Sequence, residues 1–346
     1  MVAFDPVEDQ FCTYVPQKAE WIGARGSRGD RHACRNGALG ACNWLRHVRS
    51  DDDRCIACRL NRTIPDLSVP GVLDRWIKIE NAKRRMLQGL LRLGLPVERD
   101  GQSMPIIFDF LYDPVAESGA PPQLMTGHAG GVITLNVVEA DDVARERIRD
   151  ALREPYRTLL GHFRHEIAHY YWHRLIEPTV DLAPFRTLFG DERANYLGAL
   201  QTYYDNGPPG DWQSRFISAY ATTHPWEDFA ETFAHYLHIV DTLATIVESE
   251  LAGPEGPPID PYIADFATIG ERWIPMTFKL NEISRSMGQR DLYPFSLSPV
   301  VMLKLDFVHR LVAFAAGRWA PGAREGAELK AMISALGHNL SLTSHV

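Results

Sequence analysis

Two histidines and the glutamate beside the first of them, in the run His165-Glu166-Ile167-Ala168-His169, are well suited to metal chemistry. Apolar residues recur at helical spacing through 156–175, which predicts that this run lies on a helix. Histidines four apart on a helix project from one face, at a separation that suits two nitrogen ligands of Zn²⁺. Glu166 could then take a proton from a water molecule activated by the metal. The alternative is an amphipathic helix with two surface histidines, since this pattern arises by chance in roughly 3 of 100 sequences of this composition.

A second helix is predicted downstream, with Thr223 as its N-cap and Pro225 in its first turn, and it carries two glutamates one turn apart. A catalytic zinc usually has three protein ligands, so a glutamate would complete a common set with the two histidines. A carboxylate one turn further can accept a hydrogen bond from a ligating histidine and fix its tautomer. We assign Glu227 to the metal and Glu231 to that supporting role, with the reverse assignment as the alternative. Two carboxylates on a solvated helix face are disfavoured because the segment is rich in aromatic residues.

All five cysteines lie before residue 59, and four of them could hold a second metal ion. Their spacing is C-x7-C-x12-C-x2-C, formed by Cys34, Cys42, Cys55 and Cys58. The last pair is the stronger half, because two intervening residues let both thiolates bind one ion. We predict a structural zinc site, with buried free thiols as the alternative and His32 as an optional replacement for one thiolate. Cys12 has no partner at such spacing and is expected to be an ordinary residue.

The remaining elements must position these groups, and hydrophobic periodicity predicts where they lie. Helices are predicted over 72–93, from 143 to about 152 after a cap at Asp141, and over 189–204, 266–287 and 299–316, with strands over 106–112 and 131–138. Residues 1–30 show no sustained periodicity and are expected to be irregular surface chain. The pattern predicts an α+β protein, mostly helical, with a small antiparallel or mixed sheet. A boundary near Pro65 and Pro70 divides a four-cysteine module at 1–67 from a catalytic domain at 68–346.

The charge is unevenly distributed along the chain. A formal net charge of −8 argues against a protein devoted to nucleic-acid binding, yet residues 18–62 carry ten Lys/Arg against five Asp/Glu. No apolar run reaches the ~18 residues of a membrane span, and the acidic start is unlike a signal peptide. We therefore expect a cytoplasmic protein without membrane contact, in which clustered cysteines favour metal ligation over disulfides.

Five stretches carry a family resemblance that spans nearly the whole chain: 41–45 (ACNWL), 55–67 (CIACRLNRTIPDL), 165–172 (HEIAHYYW), 224–228 (HPWED) and 291–295 (DLYPF). With these stretches the chain resembles bacterial zinc-binding metallopeptidases that join an N-terminal zinc-ribbon-like module to a gluzincin-type peptidase domain. The resemblance implies a zincin-like, specifically gluzincin-like, core with one catalytic and one structural zinc. Family members often carry an additional Cys-x2-Cys ribbon at the start, where this chain offers only Cys12, so a further zinc there is not expected.

The segment around Glu227 is also similar to the metal-site helix of the anthrax lethal factor protease. In that pattern a tyrosine seven residues before the ligating glutamate stabilises the oxyanion, and Tyr220 occupies that position here. The alternatives are that Tyr220 is a core aromatic residue, or that His224 is the donor, although Pro225 directly after it favours a role at the helix entry.

Together these features predict a zinc metallopeptidase that acts on peptide or protein substrates with Glu166 as general base. One alternative is a zinc-ribbon binding protein with a vestigial peptidase core, whose basic N-terminal module contacts nucleic acid or a protein partner. Another is a metal-dependent hydrolase of non-peptide bonds. An intact Glu166 disfavours the vestigial core, and the basic module keeps that alternative open.

Overall fold

The computed structural model describes residues 1–47, 52–98, 105–117, 126–151, 158–178, 182–251 and 259–318. The chain divides into two compact units, one of Met1–Arg92 with Pro96–Phe163 and one of Leu93–Leu95 with Arg164–Val346. Helices predominate and the sheets are small, so the predicted α+β class is confirmed. No helix in the described part of the chain is long and apolar enough to cross a membrane.

The first unit begins with a three-stranded antiparallel sheet, β1 (Val2–Asp5), β2 (Gln10–Val15) and β3 (Glu20–Gly23). Its core consists of Ala3, Cys12, Trp21 and Leu45. The prediction that residues 1–30 are irregular surface chain is therefore wrong. The strands are short, and each of the two turns that join them contains a non-glycine residue with positive φ, Asp9 at 46° and Ala19 at 52°.

Short strands then frame the four cysteines. β4 (Arg31–Ala33) pairs antiparallel with β5 (Leu45–His47), and β6 (Asn61–Thr63) follows the last cysteine. β6 joins a mixed four-stranded sheet with β7 (Ile107–Leu111), β8 (Gly127–Ala129) and β9 (Val132–Asn136), in the order β6-β7-β9-β8. β7 runs parallel to β6 and β9, whereas β8 pairs antiparallel with β9.

Helices α1 (Val72–Arg92), α2 (Pro114–Glu117) and α3 (Asp142–Ala151) complete the first unit, together with the start of α4 (Leu159–Tyr171). Phe108 and Phe110 alternate onto one face of β7, as the two-residue period of a strand requires, and the ring of Phe163 packs against both. The helix predicted over 72–93 and the strands predicted over 106–112 and 131–138 are confirmed. Their ends differ from the predicted ends by at most two residues.

In the second unit α4 continues as one π-helical turn (Trp172–Ile176), so a helix is confirmed from 159 onward within the predicted 156–175. Residues 156 and 157 lie outside the described residues. The helices that follow are α5 (Ala183–Phe189), α6 (Tyr196–Asn206), α7 (Pro225–Glu248), α8 (Phe266–Ser286) and α9 (Pro299–Ala315). The predictions for α8 and α9 are confirmed to within one residue.

The helix predicted over 189–204 is found from Tyr196 onward, but its first part is wrong, because residues 190–195 are not helical and separate α5 from α6. α5 ends at Phe189, where Gly190 adopts a φ of 101°, and α6 begins after Asn195, whose side chain caps it. α7 is the most deeply buried helix of the unit, and it packs against α5, α8 and α9. Its N-cap is His224 and not the predicted Thr223, since His224 Nδ1 accepts a hydrogen bond from the backbone N–H of Trp226.

Candidate metal centre

The two histidines of the His-Glu-x-x-His run lie one turn apart on α4 and face each other. Their Nε2 atoms are 3.2 Å apart and their ring centroids 4.9 Å apart. Glu166, between them in sequence, is 6% exposed. The predicted pairing of both imidazoles on one face of the helix is therefore present.

The first turn of α7 brings Glu227 to the same point. Its Oε2 atom lies 3.0 Å from His165 Nε2 and 3.5 Å from His169 Nε2. Two ligands of a tetrahedral zinc stand roughly 3.3 Å apart when each is about 2.0–2.1 Å from the ion. The three atoms thus have the chemistry and the spacing of a zinc ligand set.

The hydrogen bonding of Glu227 provides a second test of fit. Its side chain is 2% exposed, and Oε2 has no hydrogen-bond partner among the described residues. A buried carboxylate oxygen without a partner is unfavourable, and a bound cation would satisfy it. Both the donor set and the unsatisfied oxygen therefore fit a metal ion at this point.

Glu231 lies one turn after Glu227 on α7. It contacts the Nδ1 atom of His165, whereas Glu227 contacts the Nε2 atom of the same ring. The Oε1 atom of Glu231 is 2.7 Å from His165 Nδ1, and its Oε2 accepts a hydrogen bond of 2.6 Å from Ser218. When His165 Nδ1 donates to this carboxylate, Nε2 keeps its lone pair for a metal. Glu227 and not Glu231 faces both Nε2 atoms, and the roles assigned to the two carboxylates stay predictions.

Charge in the metal-free site follows from this arrangement. Burial of His165 disfavours its charged form, but contacts with Glu227 and Glu231 outweigh burial and raise its pKa well above the ordinary value. Burial likewise opposes the charge on Glu227, and the two histidines nevertheless hold its pKa well below the ordinary value. The site therefore concentrates negative charge that is neutralised by a cation, either a proton on histidine or a metal ion.

Two tyrosines lie beside the candidate metal ligands. Tyr220 belongs to a 3₁₀ turn (Tyr220–Thr222) before α7, and its ring centroid is 5.9 Å from that of His165. Tyr196, the first residue of α6, donates a hydrogen bond of 2.8 Å to Glu227 Oε1. Burial, with the negative charge of Glu227 nearby, raises the pKa of both phenols, so both are hydrogen-bond donors at neutral pH.

Tyr196 and Ser218 were missed by the sequence analysis, because neither belongs to a motif or shares an element with the metal ligands. His224, the alternative to Tyr220, has both ring nitrogens engaged: Nδ1 caps α7 and Nε2 lies 3.1 Å from the carbonyl oxygen of Ala194. The structure therefore places His224 at the helix entry.

Buried ion pairs fix the helices that carry the ligands. Arg164 precedes the first histidine, and its guanidinium donates to His238 Nδ1 at 2.5 Å and to Asp241, both on α7. At the start of α7, Asp228 pairs with Lys304 of α9 at 2.5 Å. Removing one partner of such a pair leaves a buried charge and lowers the free energy of unfolding by about 3–5 kcal/mol.

The four predicted zinc-binding cysteines form a separate buried cluster in the first unit, with their Sγ atoms within 4.8 Å of one another. Backbone N–H groups of Trp44 and Cys55 point at the sulfurs of Cys42 and Cys34, at 3.4 and 3.3 Å. N–H donors of this kind favour thiolates, which are the form that binds zinc. His32 is outside the cluster, paired with Asp30 at 3.3 Å, and Cys12 lies in the core of the N-terminal sheet.

The cluster is tied to α1 by a buried polar network. Cys58 Sγ lies 3.7 Å from a carboxylate oxygen of Glu80, and the other oxygen of Glu80 accepts hydrogen bonds from Asn61 and Lys83, both at 2.8 Å. Glu80 and Lys83 have no exposed surface. The module and α1 thus belong to one compact unit, while the domain boundary at residue 67 stays a prediction.

Comparison with known proteins gives two family matches. Residues 72–311 match the model of the family described as "Putative zinc-binding metallo-peptidase", and residues 1–69 match a zinc-ribbon domain. Relatives from Mycobacterium tuberculosis and Mycobacterium bovis, each titled an uncharacterized protein, are 44% identical over 292 residues, which is 82% of this chain and 83% of theirs. No solved structure matches the chain.

Proposed function

Because the chain belongs to the family of putative zinc-binding metallo-peptidases and carries a zinc-ribbon module, we propose that it hydrolyses peptide bonds at a zinc ion held by His165, His169 and Glu227. The observation that carries this proposal is the convergence of two Nε2 atoms and a carboxylate oxygen that has no hydrogen-bond partner among the residues the structure describes. Two histidines of one helix and a glutamate of a second are the gluzincin ligand set that the sequence resemblance implies.

A zinc ion held by this set would polarise the carbonyl of the substrate and lower the pKa of a water molecule. Glu166 adjoins both histidines in sequence, and its side chain is nearly buried. We assign it the proton transfers of the reaction. It takes a proton from water as the oxygen bonds to the carbonyl carbon, and passes that proton to the amine nitrogen as the carbon–nitrogen bond breaks.

Tyr220 is proposed to stabilise the negative charge that develops on the carbonyl oxygen. Its phenol stays protonated at neutral pH because burial raises its pKa, so it can donate a hydrogen bond. The centroid of its ring lies 5.9 Å from that of His165, and this proximity to a proposed ligand supports the role. Glu231 has no direct part in this scheme and acts by orienting His165.

The proposal is tested by removal and return of the metal. Zinc-loaded protein is incubated with peptides from a digested proteome, with and without a chelator, and the new termini are identified by mass spectrometry. We expect cleavage that stops with chelator and returns with added Zn²⁺. Cleavage that persists in metal-free protein would contradict the proposal.

A second zinc is proposed at the four cysteines, in a module that we place at residues 1–67, ahead of a catalytic domain at 68–346. Two separate donor sets imply about two zinc ions per chain, one structural and one catalytic. We expect Cys55→Ser with Cys58→Ser to remove one of them, and His165→Ala with His169→Ala to remove the other. Elemental analysis of the purified proteins measures this directly, and Cys12→Ser is the matched control. A cysteine double variant with undiminished zinc would show that the four-cysteine assignment is wrong.

A further inference from the structure

Tyr196 contacts the metal-site glutamate, although it lies on a helix that has no fully buried residue. It is the first residue of that helix, α6. Its hydroxyl nevertheless donates a hydrogen bond of 2.8 Å to Glu227 Oε1, across 31 residues of sequence. A phenol on a solvent-accessible helix therefore donates a hydrogen bond to one oxygen of a buried carboxylate.

The two oxygens of Glu227 consequently have different surroundings. Oε1 is satisfied by the phenol, whereas Oε2 faces the Nε2 atoms of both histidines and has no hydrogen bond within the part of the chain that the structure describes. A carboxylate can bind a metal through one oxygen or through both, and a donor on one oxygen favours binding through the other alone. Binding through one oxygen also leaves coordination positions for water and substrate, which a catalytic zinc requires.

We infer that Tyr196 is a positioning residue that holds Glu227 as a one-oxygen ligand of the metal. This inference rests on the proposed metal site. Two ring contacts fix the phenol for this task, since the Tyr196 ring lies 5.2 Å from that of His224 and 6.0 Å from that of Trp226, both at the start of α7. The cap made by Asn195 fixes the backbone at the same point.

The test is Tyr196→Phe, which removes the hydroxyl and keeps the ring and its packing. We expect the affinity of the catalytic site for zinc to fall about 10–100-fold, as is typical when a group that orients a metal ligand is lost. Affinity is measured by competition with a chromogenic chelator, on protein whose four-cysteine site remains loaded. Tyr204→Phe makes the same chemical change on the exposed side of α6 and should bind zinc as the wild type does.

A double-mutant cycle separates this role from a general effect on folding. Glu227→Asp draws the carboxylate away from the phenol, so adding Tyr196→Phe should change zinc affinity little in that background. An undiminished affinity in Tyr196→Phe would overturn the inference, and so would an equal loss with and without Glu227→Asp. The melting temperatures of the metal-free proteins show whether Tyr196→Phe is less stable than the wild type. A loss of zinc affinity that is explained by unfolding of the variant would also overturn the inference. If Glu227→Ala keeps its catalytic zinc, the proposed metal site itself is wrong.

Discussion

Glu166→Gln should keep both zinc ions and lose peptide turnover by about 10²–10⁴-fold. The amide has nearly the shape of the carboxylate, so the substitution preserves packing around a side chain that is only 6% exposed. It cannot accept a proton from water at neutral pH, and general base catalysis typically contributes a factor of that size. The measurement is steady-state hydrolysis of a peptide that the wild type cleaves, beside elemental analysis of the same preparations.

The control for this substitution is Glu177→Gln, the same chemical change at an exposed glutamate shortly after the end of α4. Glu177 pairs with His173 at 2.9 Å, and its side chain is 57% exposed. We expect Glu177→Gln to turn over substrate as the wild type does. If Glu166→Gln were equally active, Glu166 would not be the base. If Glu166→Gln lost its catalytic zinc, its low turnover would say nothing about proton transfer. Our assumption that Glu166 is not a metal ligand would then be wrong.

Glu227→Ala should largely abolish zinc binding at the catalytic site. The substitution removes the one carboxylate oxygen that faces both Nε2 atoms, and two histidines with water do not replace its charge. Glu231→Ala removes only a partner of His165 Nδ1, so we expect zinc affinity to fall about 10–100-fold and to leave metal bound at high zinc concentration. A zinc titration of the two variants beside the wild type distinguishes these outcomes.

Tyr220→Phe is the comparison variant in that titration. Its hydroxyl is proposed to act on the transition state, so zinc affinity should stay unchanged while turnover falls by about 10²–10³-fold. A metal-free Glu231→Ala with a fully loaded Glu227→Ala would reverse the assignment of the two carboxylates. The argument for Tyr220, which counts seven residues back from Glu227, would then lose its basis.

The candidate metal-binding groups could be proposed from the sequence because short-range spacing brings them together. Histidines at i and i+4 share a face on any helix, and a Cys-x2-Cys pair brings two sulfurs together in any tight turn. Glu227 could be assigned because an N-terminal helix signal and a neighbouring glutamate accompany it. Its Oε2 atom lies 3.0 and 3.5 Å from the two Nε2 atoms, and its role as a metal ligand stays a proposal.

Tyr196 and Ser218 could not be found in this way. Each makes one hydrogen bond to a carboxylate of α7. The segments that carry Tyr196 and Ser218 come close to α7 only through tertiary packing, which no local sequence pattern records. The predicted helix over 189–204 also gives Tyr196 an interior position, whereas in the structure it is the first residue of α6. Gly190 and the cap at Asn195 were the signals that could have divided that predicted helix.

The N-terminal sheet was missed for a different reason. Its strands have four to six residues, and its core holds few side chains, so the periodic signal is weak. The run Phe11-Cys12-Thr13-Tyr14-Val15 is nevertheless rich in aromatic and β-branched residues, which favour strands. Cys12, which its spacing predicts to be an ordinary residue, is buried in that sheet.

The central claim, peptide hydrolysis at this metal site, is tested most directly by one comparison of cleavage products. Zinc-loaded wild type and zinc-loaded Glu166→Gln are incubated with the same proteome-derived peptide library, and all new termini are mapped by mass spectrometry. We predict a set of termini with shared residue preferences that the wild type produces and Glu166→Gln does not. The same termini from both proteins, or none from the zinc-loaded wild type, would contradict the claim.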